Sequence, residues 1–242
     1  MENKVLIVDF GSQYTQLIAR RIRELFIFCE IYPYNNLPKK LLDYKAVVFS
    51  GSPYSVYQED SPNIDLEKFI GKIPVLAICY GAQFIANNLK GKVENSNSRE
   101  YGRARLTYID NDSILFNDIS IDNQVWMSHG DTIVELPEDS KLIASTESVK
   151  NAAYSLNEKK VFGLQFHPEV FHTDNGLKIF ENFFFHFLKF NQDWTPKSFI
   201  QASEKEIKAI VNNDKVILGI SGGVDSTVAA VLLNKAIGDN LN

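Results

Sequence analysis

The chain is poor in cysteine, and this scarcity excludes one class of small secreted fold. Its 242 residues contain only 2 cysteines, Cys29 and Cys79. Two cysteines are too few for a disulfide framework that staples a small domain together. The N-terminus also lacks an apolar run long enough for a signal peptide, with no small-residue cleavage site after it. We therefore expect the protein in a reducing compartment, the cytoplasm.

Long apolar runs and blocks of basic residues are missing as well. No stretch approaches the roughly 20 apolar residues that a membrane-spanning helix needs. Lys and Arg number 25 against 30 Asp and Glu, which gives a net charge of −5 without any basic cluster. These features disfavour a membrane or a nucleic acid as partner. The hydrophobic share of 45% is ample for a packed core.

The first 90 residues alternate between continuous apolar runs and segments with helical spacing. The runs predict strands and the spaced segments predict helices, at 4–10, 29–34, 46–51 and 73–79 for strands and at 12–25 and 81–90 for helices. Apolar strands separated by helices are typical of a parallel sheet that is covered on both faces. Ligands of such sheets bind beyond the carboxyl ends of the strands.

The rest of the chain changes character twice. Short strand candidates with turn residues between them fill the middle, and a predicted helix over 174–190 closes this part. Thr195 and Pro196 then predict the start of a polar helix over about 198–212. A new apolar run and a new helix follow from 213 onwards.

These patterns predict an α/β protein. We expect a mostly parallel central sheet with helices on both faces and a smaller antiparallel section, followed by the first strand, loop and helix of a second α/β domain. The first domain is predicted over 1–190, a linker with a connecting helix over 191–212, and the second domain over 213–242. The second domain is expected to be incomplete, because a lone strand and helix cannot bury a core.

The segment AICYG at 77–81 places Cys79 on the corner between a predicted strand and a predicted helix. This small-x-nucleophile-x-Gly pattern is typical of an elbow that holds a nucleophile on a sharp turn. A thiol at the start of a helix lies near free N–H groups, which favour the thiolate. The alternative is a small buried cysteine that only packs.

Two further segments carry residues suited to acyl transfer. In GLQFHPEV, His167 and Glu169 lie two residues apart, so on an extended segment both point to the same side. A base and an orienting carboxylate could thus approach a nucleophile together, although a surface ion pair is the simpler alternative. In FSGSPYSV, Gly51 follows a buried strand and could offer its amide to an oxyanion. An ordinary turn is the alternative there.

In combination and in this order, the three segments resemble the triad class of glutamine amidotransferases over almost all of residues 1–190. The resemblance implies that Cys79 is the nucleophile, His167 the general base and acid, and Glu169 the carboxylate that orients the imidazole. It also implies oxyanion and glutamine contacts at Gly51, Tyr80, Gln83, Ser128 and His129. Relatives of this class often carry glycine at the positions of Ser52 and Ala77.

A fourth segment, ILGISGGVDST, joins an apolar run to a helix through a glycine-rich loop. Such a loop can hold an anion with backbone N–H groups and the helix dipole. It lacks the Gly-Lys-Ser/Thr sequence of the Walker loop. The loop resembles the pyrophosphate loop of ATP pyrophosphatases, which implies an ATP site at Ser221, Gly222, Gly223, Val224, Asp225, Ser226 and Thr227. A plain glycine turn is the alternative.

An amidotransferase placed ahead of such a loop is similar to the GMP synthetase family. Matching segments lie at 8–25, 125–131, 167–173 and 214–226. The resemblance implies that glutamine is hydrolysed through a Cys thioester, and that the ammonia aminates ATP-activated, adenylylated XMP to GMP with release of AMP and pyrophosphate. It implies ATP with Mg²⁺ and no prosthetic group or metal site of the chain's own. It further implies a homodimer formed through regions beyond Asn242, and a weak glutaminase activity for these residues alone.

Two other functions remain open at this stage. The chain could be a stand-alone glutaminase subunit of another biosynthetic amidotransferase, but the appended pyrophosphate-type loop disfavours this. It could instead be a non-catalytic module that senses glutamine or a nucleotide. The presence together of Cys79, His167 and Glu169 disfavours that alternative.

Overall fold

The structure is a computed structural model that describes residues 3–242; for residues 96–100 it describes the backbone alone. The chain divides into two compact units. The first ends at Asp193, and the second spans Trp194–Asn242.

The first unit is built on one large mixed sheet. Its strands in chain order are β1 (Lys4–Asp9), β2 (Phe28–Pro33), β3 (Ala46–Phe49), β4 (Val75–Ile78), β5 (Lys92–Ile109), β6 (Gln124–Glu135), β7 (Lys141–Thr146), β8 (Ala153–Leu156) and β9 (Val161–Leu164). Over the described residues these form a 9-stranded sheet in the order β2-β1-β3-β4-β9-β8-β7-β5-β6. The pairs from β2 to β9 are parallel, and the pairs from β9 to β6 are antiparallel.

The helices of the chain are few and mostly short. They are α1 (Thr15–Glu24), α2 (Tyr80–Asn88), α3 (Gly176–Glu181) with a π-helical continuation (Asn182–Phe187), α4 (Pro196–Val211) and α5 (Val224–Ile237). Single 3-10 turns lie at Leu41–Asp43, Leu66–Lys68, Ile114–Phe116 and Gly238–Asn240. Of the helices that the structure describes, none is both long and apolar enough to cross a membrane.

Both faces of the sheet are buried, because alternate residues of each central strand enter two different cores. Val5 and Ile7 of β1 pack on one face with residues of α1 and α3. Leu6 and Val8 pack on the other face with residues of α2. Every residue of β3 and β4 is buried. The continuous apolar runs in the sequence therefore form the centre of the sheet.

This topology brings several loops to one edge of the sheet. Strands β1, β3 and β4 run parallel, so their carboxyl ends lie side by side. The loop that follows β1, the loop that follows β3 and the start of α2 meet there. Any side chains that act together on a ligand are expected at this edge.

The second unit consists mainly of α4 and α5. Thr195 caps α4, because its hydroxyl accepts a hydrogen bond from the amide of Ser198 at 3.0 Å, and the Ser198 hydroxyl accepts one from the amide of Thr195 at 2.8 Å. Pro196 occupies the first turn, where its missing N–H costs nothing. The helix starts two residues before the predicted 198.

The predicted strand between α4 and α5 differs in the structure. Residues 215–220 contain only an isolated bridge, in which Val216 pairs with Leu241 in parallel. Ile217 and Ile220 are 87% and 62% exposed rather than buried. A strand gains its stability from paired neighbours and a covered face. The short segment around Leu241 supplies too little of either.

Candidate active site

A pocket of about 690 Å³ opens at the carboxyl edge of the parallel strands. Its walls come from the loop after β1, the loop after β3, the start of α2, strands β5 and β6, and the segment after β9. The lining residues are Gly11, Ser12, Gln13, Tyr14, Ser52, Pro53, Tyr54, Ser55, Gln58, Cys79, Gln83, Asn95, Tyr101, Ser128, His129, Gly130, Asp131 and His167.

Cys79 stands between β4 and α2 in an unusual backbone conformation. Its φ is +51° and its ψ is −107°, a region that costs free energy for any residue with a Cβ. The amide of Cys79 donates to the carbonyl of Leu164 at 2.7 Å, which holds the turn in the sheet. The thiol is 3% exposed, and its Sγ lies 3.7 Å from the carbonyl oxygen of Ser128. This is the elbow that the sequence pattern predicts.

Gly81 allows α2 to start this close to the sheet. A Cβ at position 81 would lie 2.7 Å from the Cβ of Phe49 and 3.1 Å from the carbonyl oxygen of Ser50. The Gly81 amide donates to that same carbonyl at 3.2 Å. The glycine of AICYG is thus required by close packing of the helix against β3.

His167 and Glu169 lie together just after β9, and both are buried. The Nδ1 of His167 is 2.8 Å from the Oε1 of Glu169, with 3% and 1% of the two residues exposed. Burial by itself lowers the pKa of His167, but the charges of Glu169 and Cys79 and hydrogen bonds to both outweigh it. The pKa of His167 is therefore raised well above its ordinary value, so the imidazolium form is favoured in this buried position.

Gly51 borders both the thiol and the imidazole. A Cβ built on Gly51 would lie 3.6 Å from the Cβ of Cys79 and 3.2 Å from the Cε1 of His167. Any side chain at this position would enter the reaction space. Glycine therefore keeps the space beside the thiol and the imidazole open.

Tyr80 follows Cys79 at the start of α2, and its side chain does not line the pocket. Its amide is in the first turn of α2, where N–H groups have no partner within the helix. Its side chain is 1% exposed, and its hydroxyl donates to the carbonyl of Pro62 at 2.5 Å. Cys79 belongs to the core on one face of the sheet and Tyr80 to the core on the other.

The other predicted glutamine contacts also line the pocket. Gln83 is buried, and its Nε2 donates to the carbonyl of Asp131 at 2.7 Å. Ser128 presents its carbonyl to Cys79, and His129 is 4% exposed on the same strand, β6. The structure thus brings Gln83, Ser128 and His129 to the same pocket as Cys79.

Burial lowers the pKa of His129 to about 4, with a smaller opposing effect of a hydrogen bond to the Asp131 backbone. At neutral pH the side chain is a neutral imidazole. The unfolded chain takes up a proton near pH 6.5, whereas the folded chain does so only near pH 4. The folded state therefore loses stability as the pH falls through this window.

We expect this effect of His129 to lower the free energy of unfolding by about 2 kcal/mol between pH 7 and pH 5. Urea denaturation of the protein and of His129→Gln at the two pH values measures it. Because His167 has a raised pKa, its own contribution has the opposite sign and is present in both proteins. Equal pH dependence in the two proteins would contradict the assigned burial of a neutral imidazole.

Several residues that line the pocket carry no role in the sequence prediction, and Tyr14, Asn95 and Tyr101 are three of them. The ring of Tyr14 packs edge-on against the ring of His167, with centroids 5.1 Å apart and planes at 76°. Asn95 donates from its Nδ2 to the Oδ1 of Asp131 at 3.4 Å, and Tyr101 lines the rim while 63% exposed. For Tyr14, the one signal in the sequence was its position directly after the loop that follows β1, at the carboxyl end of a parallel strand.

Ser52 and Ala77 replace glycine without backbone strain. Ser52 does not adopt a positive φ, so an L side chain is tolerated there. Ala77 is a fully buried residue of β4. The elbow is formed with both residues in place.

The glycine-rich loop of the second unit precedes α5. Gly222 has a φ of +83°, and Gly223 caps the helix. The hydroxyl of Ser226 donates to the carbonyl of Gly223 at 3.0 Å, and that of Thr227 does so at 2.9 Å. Ser221, Val224 and Asp225 complete an exposed turn with the first-turn amides of α5 free. These features fit an anion such as a pyrophosphate.

The described part of the chain holds no group of three or more His, Cys, Asp or Glu side chains placed to bind a metal ion. Both cysteines are free thiols.

Residues 6–187 match the glutamine amidotransferase class-I family, which is most of the chain. The chain belongs to this family. The predicted resemblance to glutamine amidotransferases and the predicted α/β fold class are thereby confirmed. Residues 199–241 match a second family, described as NAD synthase.

Relatives of this amidotransferase carry a more specific name. A GMP synthase (glutamine-hydrolyzing) of Christiangramia forsetii is 56% identical over 241 residues, which cover 100% of this chain and 47% of that protein. GMP synthase (glutamine-hydrolyzing) 1 of Bacteroides thetaiotaomicron is 55% identical over 241 residues and is covered to 48%. The chain spans about half the length of the curated relatives it matches.

A solved structure agrees with the fold. A protein of Thermoplasma acidophilum described as a GMP synthase subunit is 31% identical, with a TM-score of 0.66. The match covers 76% of this chain and 92% of that one.

Proposed function

We propose that this amidotransferase hydrolyses glutamine to glutamate and ammonia through a thioester on Cys79. One observation carries the proposal: Cys79, His167 and Glu169 are buried beside one another, and Cys79 and His167 face the same pocket. Class membership supplies the reaction type, and the geometry supplies a role for each residue.

In the first half-reaction the Cys79 thiolate attacks the side-chain amide carbon of glutamine. The developing oxyanion accepts hydrogen bonds from the amides of Gly51 and Tyr80. The His167 imidazolium then gives its proton to the departing ammonia, and Cys79 is left as a thioester. Glu169 holds the imidazole through its Nδ1 and stabilises its positive charge.

In the second half-reaction a water molecule attacks the thioester carbon. The now neutral His167 takes the proton of this water, the C–S bond breaks, and the Cys79 thiolate and glutamate are released. The imidazolium and thiolate are restored, so the raised pKa of His167 suits both halves of the cycle.

The far side of the pocket suits the amino-acid end of glutamine. Asp131 is 4% exposed and lines the pocket, and its Oδ2 has no hydrogen-bond partner within the part of the chain that the structure describes. A buried carboxylate oxygen needs a cationic or N–H partner, and an α-ammonium group supplies one. Gln83 fixes the Asp131 backbone through its 2.7 Å hydrogen bond.

For the whole protein we propose glutamine-dependent GMP synthesis. ATP would adenylylate XMP with release of pyrophosphate, and ammonia would then displace AMP to give GMP. The names of the relatives and the anion-binding character of 221–227 support this. ATP would be held there with Mg²⁺, which the phosphates and not a protein metal site would carry.

The domain limits belong to the same proposal. We assign the amidotransferase domain to 1–190, the linker and connecting helix to 191–212, and the beginning of an ATP pyrophosphatase domain to 213–242. The two compact units meet at 193 and 194, close to the first limit. The proposal includes a cytoplasmic location, which free thiols favour, and a homodimer formed through regions beyond Asn242.

Covalent trapping tests the glutaminase proposal directly. A diazoketone analogue of glutamine should alkylate Cys79, with the adduct located by mass spectrometry of peptides, and excess glutamine should protect. Glutamate release by the treated chain, relative to the untreated chain, should fall in step with labelling. Labelling of Cys29 in place of Cys79, or full glutaminase activity after labelling of Cys79, would contradict the proposal.

A further inference from the structure

Thr173 lies outside the pocket but is hydrogen-bonded directly to the segment that carries His167 and Glu169. It is 6% exposed. Its hydroxyl donates to the carbonyl of His167 at 2.5 Å and accepts from the amide of Trp126 at 3.0 Å. The amide of His167 in turn donates to the carbonyl of Trp126 at 3.0 Å. One hydroxyl thus closes a ring of three hydrogen bonds around His167 and Trp126.

Trp126 links this ring to the nucleophile. It belongs to β6, as does Ser128, whose carbonyl lies 3.7 Å from the Sγ of Cys79. Strand β6 therefore contacts the thiol through Ser128 and holds the backbone of His167 through Trp126. A shift of His167 along β6 would change the distance between imidazole and thiol.

Other contacts hold the residues that directly follow His167. Pro168 has no N–H to donate. Its carbonyl is packed by Gly176, where a Cβ would overlap the oxygen. Arg21 donates from its Nε to the carbonyl of Glu169 at 3.1 Å. These contacts restrain residues 168 and 169, and the Thr173 hydroxyl restrains the carbonyl of His167 itself.

We propose that Thr173 is a positioning residue for the reaction, and that its hydroxyl fixes the backbone of His167 on β6 so that the imidazole faces Cys79. This inference rests on the proposed role of His167 as the base and acid. Thr173 touches neither substrate nor reacting atoms. Its effect is expected on the chemical step and on the thiolate, with little effect on glutamine binding.

Thr173→Val tests the inference, because valine keeps the shape and removes the hydroxyl. Thr146 offers a matched control: it is 4% exposed in β7, and its hydroxyl accepts from the amide of Val149 at 3.0 Å. We expect Thr173→Val to lower kcat for glutamine hydrolysis by at least about tenfold with KM within about twofold. Thr173→Ser should restore most of kcat, and Thr146→Val should keep it.

The rate of alkylation of Cys79 by iodoacetamide at pH 7 gives an independent readout. Burial raises the pKa of Cys29 to about 11, so that thiol does not interfere. In the unaltered chain Cys79 should react at least about tenfold faster than in His167→Ala, since a neighbouring imidazolium favours the thiolate. Thr173→Val should slow the alkylation of Cys79, whereas Thr146→Val and Thr173→Ser should leave its rate unchanged.

The outcomes separate the two proposals. Equal alkylation rates in the unaltered chain and in His167→Ala would oppose the pairing of Cys79 with His167 and hence the proposed function. A rate that falls in His167→Ala but is unchanged in Thr173→Val, together with an unchanged kcat in Thr173→Val, would overturn the role of Thr173 alone. An equal loss of kcat in Thr146→Val would show that Thr173 only stabilises the fold and would overturn its positioning role. If Thr173→Val does not fold, Thr173→Ala is measured in the same way, and an unchanged alkylation rate and kcat there overturn the inference.

Discussion

Replacing Cys79 with alanine should abolish glutamine hydrolysis, with a fall in rate of at least about 10⁴-fold. The thiol forms the thioester in the proposed reaction, and none of the other described residues that line the pocket offers a thiol. Binding should survive, because Gln83 and Asp131 keep their places without the sulfur. Ammonia release under saturating glutamine measures the rate, and calorimetric titration with glutamine measures the binding.

Cys29→Ala is the matched control for this variant. Cys29 is 1% exposed in the core, where its Sγ lies 3.6 Å from the carbonyl of Ala19. Its loss should cost some stability, as the loss of a buried sulfur leaves a small cavity, and should leave the glutaminase rate nearly unchanged. A Cys79→Ala variant that still turns over glutamine would show that the thioester is not formed there.

Replacing His167 with alanine should lower the glutaminase rate by about 10²–10⁴-fold or more. Glu169→Gln should lower it less. In this variant the side-chain amide oxygen at position 169 can still accept a hydrogen bond from the Nδ1–H of His167. In the unaltered chain this Nδ1 is 2.8 Å from the Glu169 Oε1. It cannot stabilise the imidazolium, so some loss remains.

The pH profile separates the two variants further. Glu169 contributes to the raised pKa of His167, so Glu169→Gln should lower the pH above which His167 loses its proton. His186→Ala is a suitable control, because His186 is an exposed histidine of the π-helical segment. Steady-state kinetics in which Glu169→Gln is the more damaging change would invert the assigned roles.

The parallel half of the sheet could be predicted from the sequence, because strands that are buried on both faces appear as continuous apolar runs. The run 73–79 predicts a strand, and the structure has β4 at Val75–Ile78 with every residue buried. The sharp change at Cys79 and Gly81 marks the elbow, since glycine is needed where the helix meets β3. The local sequence is therefore enough to predict strand β4 and the elbow that follows it.

Features that depend on contacts between distant parts of the chain could not be predicted from the sequence. Strand β5 runs over Lys92–Ile109, far longer than its apolar segment, because pairing with β6 supplies the hydrogen bonds. The predicted helix 174–190 instead changes to a π-helical segment, where the Nδ2 of Asn182 donates to the carbonyls of Leu115 and Asn117. The contact of Tyr14 with His167 and the hydrogen bond of Thr173 to the His167 carbonyl likewise join residues that are separated in the sequence, so the sequence pattern does not predict them.

The location of the elbow between two cores has a consequence for redesign. Cys79 is held by one core and the side chain of Tyr80 by the other, so neither can move without disturbing packing on both faces. Tyr54 and Tyr101 also line the pocket, are 44% and 63% exposed, and are members of neither described core. An altered acyl specificity is therefore best sought by varying these two residues, with the proposed nucleophile and oxyanion donors left unchanged.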